Sequence, residues 1–298
     1  HSLIITNLFN NFYINILFKV KQKSIIKTEW RDLFMKRKHI LALIIAVCLV
    51  LAGCSNSSNS NKDGDKKESS SPDSGKKQEL QISAAASLTD VSKALEKEFK
   101  KDHKDANIKF NYGGSGALRQ QIETGAPVDV FMSANTKDVD ALKDKKKAHD
   151  TYNYAKNKLV LVGDKDKNYQ SVKDLKGNDK LALGEVKTVP AGKYAKQYLD
   201  DNKLYDSVKD KIIYAKDVKQ VLNYVEKGNA QEGFVYKTDL YNQKKKTDKV
   251  KEIKQVQLSK PIVYEAGATS DKKLAKEWMK FLKSDKAKKI LKEYQFSA

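Results

Sequence analysis

Ser83-Ala84-Ala85-Ala86-Ser87-Leu88-Thr89-Asp90-Val91-Ser92-Lys93-Ala94-Leu95 opens as a run of small residues and turns into an amphipathic helix at a serine. Leu88, Val91, Leu95 and Phe99 fall at helical spacing. Just before them, Leu80-Gln81-Ile82-Ser83-Ala84 reads as a strand, so strand and helix meet with almost no connecting loop. Every helix start leaves backbone N–H groups without partners. Ser87 stands where an N-cap belongs, and Asp90, three residues on, makes a variant of the capping box. The same bare N–H groups are also a seat for an anion.

The arrangement recurs along the chain. Ile108-Lys109-Phe110-Asn111-Tyr112 reads as a strand, Gly113-Gly114-Ser115-Gly116 as the turn, and Ala117 to Thr124 as a helix stopped by Gly125. Farther on, Lys180-Leu181-Ala182-Leu183-Gly184 is a strand, and Val189-Pro190-Ala191-Gly192 precedes the helix Lys193 to Leu199. Proline suits a first helical turn because the missing N–H is no loss there. The fourth start is Asp217, a cap for the helix of Val218, Val221, Leu222 and Val225, which ends at Gly228. Strands alternating with amphipathic helices define an α/β architecture, expected to have mainly parallel sheets. Ordinary capping accounts for any one of these starts. In open α/β sheets, however, ligands bind outside the carboxyl ends of the strands, where helix N-termini gather.

The N-terminal part of this 298-residue chain reads as address rather than fold. Residues 1–34 are rich in Ile, Asn, Phe and Lys without the periodicity of a domain, and are expected to be a leader ahead of a start at Met35. Met35-Lys36-Arg37-Lys38-His39, the apolar run Ile40 to Leu51, and Leu51-Ala52-Gly53-Cys54 resemble a bacterial lipoprotein signal over 35–53, with Cys54 the lipidated residue. The apolar run spans 12 residues, short of the roughly 20 that cross a bilayer. Residues 54–79, rich in Ser, Asn, Asp and Lys, cannot bury enough surface to fold and read as a disordered tether. The address implies an extracytoplasmic domain held to the cell membrane through lipid on Cys54.

Composition narrows the chemistry. Most of the net charge of +20 reads as a lysine-rich solvated surface; it also suggests attraction to anions, and the lipoprotein address argues against nucleic acid. Of the two cysteines, Cys48 falls in the signal and Cys54 would carry lipid, which leaves no disulfide and no thiolate metal site for the fold. The four histidines show no metal-ligand spacing. Ser87 lacks a nucleophile-elbow context, and Gly113-Gly114-Ser115-Gly116-Ala117 departs from one at its last position. An enzyme is therefore not expected, and hydrolase chemistry ranks low. An adhesive lipoprotein ranks low too, because Leu274, Trp278, Phe281, Leu282, Ile290 and Leu291 look like helices packing on a lobe. Arg119 is the one arginine after residue 53, so a cluster of bidentate arginine forks is excluded, and its side chain is expected to face solvent.

Four strings, in order, carry a resemblance: Ala84-Ala85-Ala86-Ser87-Leu88-Thr89, Gly125-Ala126-Pro127-Val128-Asp129-Val130-Phe131-Met132-Ser133-Ala134, Val189-Pro190-Ala191-Gly192-Lys193-Tyr194-Ala195, and Gly233-Phe234-Val235-Tyr236-Lys237-Thr238-Asp239. Together they resemble the molybdate-binding proteins of ABC importers, from about Leu80 to Phe296. The resemblance implies an α/β, two-lobe periplasmic-binding-protein fold of type II, with hinge strands and a ligand cleft between the lobes. Lobe 1 would hold 80–158 and 260–298, lobe 2 residues 159–259.

By the same resemblance, Ser87 and Ser115 each offer a hydroxyl and a backbone N–H to a tetrahedral oxyanion. Ala191 and Val218 offer backbone N–H groups from the second lobe, and Tyr236 its phenolic hydroxyl. Molybdenum enters only as molybdate through these residues, and no cofactor is implied. The implied ligands are molybdate and tungstate, the implied partner is a membrane permease, and the expected state is a monomer. One departure is that Gly114 and Gly116 flank Ser115 where the family often carries several hydroxyl residues. Molybdate is fully deprotonated near neutral pH and asks for donors only, which Ser, Tyr and backbone N–H supply. Hydrogen phosphate keeps a proton and asks for an acceptor. Sulfate matches molybdate in charge and shape and differs in size, so it is the alternative ligand that pocket radius must reject.

Overall fold

The computed structural model describes residues 78–242 and 245–297. The expected leader, the signal, Cys54 and the tether up to residue 77 lie outside the described residues. The tether was expected to run to residue 79, but the first strand, β1 (Gln78–Ala85), already begins at Gln78, which pairs with Ala106. Gln78 and Glu79 join through the backbone while their side chains stay exposed, so hydrophobicity gives no sign of them. Among the described residues no helix is long and apolar enough to cross a membrane.

Two five-stranded sheets organise the chain. The first has the order β2-β1-β3-β12-β4, built from β1, β2 (Ala106–Gly113), β3 (Val130–Ser133), β4 (His149–Asn157) and β12 (Ile262–Ala268). The second has the order β11-β5-β8-β6-β7, from β5 (Leu159–Asp164), β6 (Leu181–Gly184), β7 (Ile212–Ala215), β8 (Glu232–Tyr236) and β11 (Val250–Gln255). A short ladder pairs β9 (Tyr241–Asn242) with β10 (Lys245–Lys246). The chain passes between the sheets at Asn157-Lys158 and returns over residues 256–261.

The sheets are mixed, which corrects the expectation of mainly parallel ones. β1 is parallel to β2 and β3, and β6 to β7 and β8. Yet β12 is antiparallel to β3 and β4, and β5 to β8 and β11. A parallel neighbour requires a crossover helix, whereas β4 runs straight into β5 and β11 returns to β12 without one, so the connecting strands enter antiparallel.

Helices cover both faces of each sheet. On the first, α1 (Thr89–Asp102) packs with the C-terminal α7 (Lys273–Leu282) and α8 (Asp285–Glu293), around Phe99 and Trp278, whose rings meet edge to face 5.1 Å apart. The opposite face is closed by α2 (Ser115–Glu123) and α3 (Thr136–Asp144) over Leu118, Ile122, Phe131, Val139 and Leu142. On the second sheet, α4 (Pro190–Asp201) sets Tyr198 against Phe234 of β8. The short α5 (Tyr205–Val208) follows it. On the other face, α6 (Val218–Glu226) lies so close that a Cβ at Gly233 would come 2.9 Å from Val221. Alternate residues of β8 thus point to opposite helix layers, which is why its five residues are all buried.

Candidate oxyanion-binding site

Beyond the carboxyl ends of β1, β2, β6 and β7 the four helix starts meet, with Tyr236 at the end of β8. A small cavity there is lined by Ser87, Ser115, Ala191, Val218 and Tyr236, all five residues singled out from the sequence, with Gly114, Ala134 and Pro190 among their neighbours. Apart from Tyr236, no lining residue carries an ionisable side chain. Ser115 and Ala191 are fully buried, and Ser87, Val218 and Tyr236 nearly so.

The helix starts differ from simple capping. Ser87 does not cap α1. It sits within a 3-10 turn, Ala86–Leu88, and Leu88 occupies the N-cap with no side-chain bond to the helix. The Ser87 hydroxyl is drawn away to the Tyr264 hydroxyl, 2.8 Å off. Asp90 does not close a capping box either, because its carboxylate accepts from Lys219 Nζ at 2.9 Å. Gly114 is the N-cap of α2 and Val189 that of α4, again without side-chain bonds, and Pro190 takes the first helical turn as expected. Only the α6 start is conventionally capped, by Asp217, which accepts from Gln220 N–H at 2.8 Å. Three of the four starts around the cavity therefore leave their first N–H groups without a side-chain acceptor, and each adds favourable potential for negative charge.

The side chains are arranged as donors. Ser115 Oγ accepts from Ala134 N–H at 3.0 Å, which leaves its own O–H to donate. The Tyr236 hydroxyl is buried without a hydrogen bond of ordinary geometry, although the Tyr264 ring lies 5.8 Å from its own. Burial, then the neighbouring Tyr264, Tyr194 and Asp239, push its pKa well above the usual phenol value, so it stays a protonated donor. An unsatisfied buried hydroxyl costs about 1–3 kcal/mol. A ligand oxygen would remove that cost.

Around this first layer the lobes touch. Gly116 N–H donates to Thr188 C=O at 2.9 Å, backbone to backbone across the cleft. A Cβ at Gly116 would come 2.9 Å from Thr188 Cα, and one at Gly114 2.7 Å from its carbonyl oxygen. The two glycines beside Ser115 thus have a physical reason. In the Val-Pro-Ala-Gly string, Gly192 has another: a Cβ there would lie 1.9 Å from the Gly184 carbonyl, so only glycine lets α4 start this close to β6.

On the other side, Lys219 in the first turn of α6 pairs with Asp90 of α1 at 2.9 Å and with Asp239 at 3.6 Å. Burial works against the Lys219 charge, but Asp239 and Asp90 more than offset it and raise the pKa. Asp239 in turn accepts from Tyr236 N–H at 2.9 Å and so fixes the end of β8. Arg119, expected to face solvent, is instead partly buried between Glu123 and Asp138, and the Asp138 contact measures 2.9 Å. Among the described residues no group of His, Cys, Asp or Glu could hold a metal ion. Of the histidines described, His103 stacks on Phe99 and reaches Glu277 at 3.2 Å, and His149 is exposed.

The residues that sequence reasoning missed are Tyr264, Asn157, Lys219 and Asp239. Asn157 Nδ2 donates to Tyr264 at 3.2 Å and to Thr238 Oγ1 at 2.8 Å. Tyr264 and Ser87 are 177 positions apart, a pairing that periodicity does not reveal. Asp239, by contrast, lies inside the string Gly233 to Asp239, where its carboxylate holds the backbone of Tyr236.

Two mixed sheets joined by crossover strands, with a small cavity between them lined by serines, helix starts and a tyrosine, define a two-lobe solute-binding protein. Residues 80–297 match the bacterial extracellular solute-binding protein family, and the chain belongs to it. It is 42% identical over 272 residues to a Bacillus subtilis (strain 168) protein provisionally named ABC transporter substrate-binding lipoprotein YvgL, covering 88% of this chain and 99% of that one. It is 34% identical over 232 residues to the molybdate-binding protein ModA of Haemophilus influenzae, covering 73% and 89%. Among solved structures it resembles the substrate-binding domain of a provisionally assigned molybdenum ABC transporter from Clostridium difficile, with 40% identity, a TM-score of 0.56, and coverage of 74% of this chain and 98% of that one.

Proposed function

We propose that the protein captures molybdate, and tungstate comparably, on the extracytoplasmic side of the membrane and delivers it to an ABC importer. The observation that carries this reading is the convergence of donors without a carboxylate: Ser87, Ser115 and Tyr236 hydroxyls with the N-termini that include Ala191 and Val218, around one cavity. That chemistry suits a fully deprotonated tetrahedral dianion and gives hydrogen phosphate no side-chain carboxylate to donate to. The names of the relatives in Haemophilus influenzae and Clostridium difficile support molybdenum as the element.

The mechanism is hinged closure. Lobe 1, residues 78–158 with 260–298, brings Ser87 and Ser115, and lobe 2, residues 159–259, brings Ala191, Val218 and Tyr236. The crossings at Asn157-Lys158 and 256–261 serve as hinges. Closing on the anion brings Gly116 to Thr188 and Lys219 to Asp90, contacts made to the partner lobe and not to the ligand. The anion leaves unchanged, so no catalytic group is required. Lipid on Cys54 would hold the monomer at the membrane, within reach of the permease.

Competitive titration of the full chain with molybdate, tungstate and sulfate tests the reading. Molybdate and tungstate are expected to bind alike and sulfate far more weakly, because donors spaced for the larger ion leave some hydrogen bonds to sulfate long. Sulfate binding as tight as molybdate, or no heat from either metal oxyanion, would overturn it.

A further inference from the structure

Behind Ser87 the hydrogen bonds form a directed chain. Asn157 Oδ1 accepts from Lys158 N–H at 2.8 Å, which orients the amide and makes Nδ2 the donor. Nδ2 donates to the Tyr264 oxygen at 3.2 Å and to Thr238 Oγ1 at 2.8 Å. The Tyr264 hydroxyl, fully buried, is kept protonated because burial pushes its pKa well above the usual phenol value. Its shortest hydroxyl contact is to Ser87 Oγ, at 2.8 Å, while the neighbouring Tyr236 hydroxyl makes no bond of ordinary geometry with it. With the Tyr264 oxygen accepting from Asn157, its proton is free to go to Ser87, the shorter of the two contacts. In that polarity Ser87 Oγ accepts from behind, and its own proton is turned toward the cavity.

We propose that Asn157 and Tyr264 are positioning residues that commit Ser87 to donating, and that the protein rejects oxyanions carrying a proton partly through this relay. The inference rests on the oxyanion reading above and deepens it. A serine free to rotate offers a ligand either a proton or a lone pair. With the relay in place it offers the proton, which suits an unprotonated oxygen and meets the O–H of hydrogen phosphate donor to donor. The relay starts at Asn157, on the crossing between the sheets, and reaches Ser87 on the first.

Sulfate supplies the internal control, because like molybdate it carries no proton near neutral pH. The relay does not separate those two ions; pocket size does. Tyr264→Phe keeps the ring and removes the relay's hydroxyl. In titrations of the full chain at pH 7, this variant is expected to lower the molybdate-to-phosphate affinity ratio about tenfold, the value of one misdirected hydrogen bond of roughly 1.4 kcal/mol. The molybdate-to-sulfate ratio should stay within twofold. Asn157→Asp, which turns the amide donor into an acceptor, should reverse the relay and shift the phosphate ratio in the same direction by more.

A Tyr264→Phe protein whose phosphate ratio is unchanged, or whose phosphate and sulfate ratios move together, overturns the inference, since the second result marks a loosened pocket. Failure of the wild-type protein to bind molybdate or tungstate would sink the functional reading instead, so the two failures are distinguishable.

Discussion

Strand β8 carries two buried polar groups without hydrogen-bond partners, one at each end, and they mean different things. At its carboxyl end, the Tyr236 hydroxyl opens on a cavity where serines and helix starts converge. At its amino end, both oxygens of the Glu232 carboxyl are buried among the residues of the second sheet, beside no such convergence. Burial, and then Asp174 and Asp179, push the Glu232 pKa up to about 8. An unsatisfied group marks a ligand site only where other donors or acceptors aim at the same space. Tyr236 passes that test and Glu232 fails it, so Glu232 acts as a cost in stability. The polarity of the strand agrees, since open α/β sheets bind their ligands beyond carboxyl ends.

The comparison can be broken most forcefully at Glu232. A carboxyl whose folded pKa is raised to about 8, against roughly 4.3 unfolded, binds its proton more tightly in the folded state. Its contribution to stability is full below the unfolded value and is lost as pH rises toward the folded one. Stability should therefore decline between about pH 4.5 and 8 by up to roughly 1.4 kcal/mol per pH unit from this group. Glu232→Gln, neutral throughout, should remove that slope and unfold at higher denaturant at pH 7.5, with molybdate affinity unchanged. Parallel pH profiles for the two proteins in urea titrations would show that Glu232 is not the cost it is taken to be.

At the other end of the strand the signs invert. Tyr236→Phe deletes a hydroxyl that has no partner in the protein itself, so stability without ligand should hold or rise slightly. Molybdate affinity should fall about 10- to 100-fold, the range of roughly 1.5–3 kcal/mol for a hydrogen bond to a charged group. Calorimetric titration beside a thermal melt separates the two. A variant that binds normally, or one that melts much earlier, would place Tyr236 with Glu232 rather than opposite it.

How much of this was legible beforehand follows the distance over which each signal acts. The helices after Ser87, Ser115, Pro190 and Asp217 were visible in apolar spacing, and the stops at Gly125 and Gly228 coincide with positive φ values of 96° and 73°. The five cavity residues came from the family resemblance, because spacing alone does not make helix ends converge. What spacing placed wrongly was local chemistry under tertiary competition: Ser87 looked like a cap until Tyr264, brought in by β12, took its hydroxyl. Asp90 looked like the other half of that cap until Lys219 arrived from α6. The antiparallel strands were illegible for a similar reason, since their pairing depends on how the chain crosses between sheets.

Asp239, three residues beyond β8, is the intermediate case that sharpens the contrast. Its side chain is as buried as that of Glu232, but Lys219 lies 3.6 Å away and supplies the cation that Glu232 lacks. The same lysine reaches Asp90 on the first sheet's α1 at 2.9 Å, so one charge serves two carboxylates from both sides of the cleft. Asp90→Asn leaves the Lys219–Asp239 pair intact and removes only the charged contact between lobes. For a partly exposed pair the expected loss is about 1 kcal/mol, and it should fall on the closed state alone. Stopped-flow measurements should then show molybdate leaving roughly fivefold faster, with its association rate unchanged because the open form is unaffected. If association quickened and release did not change, Asp90 would be acting on the approaching anion through its charge rather than holding the lobes, and the partly buried cation would belong to the second lobe's stability only.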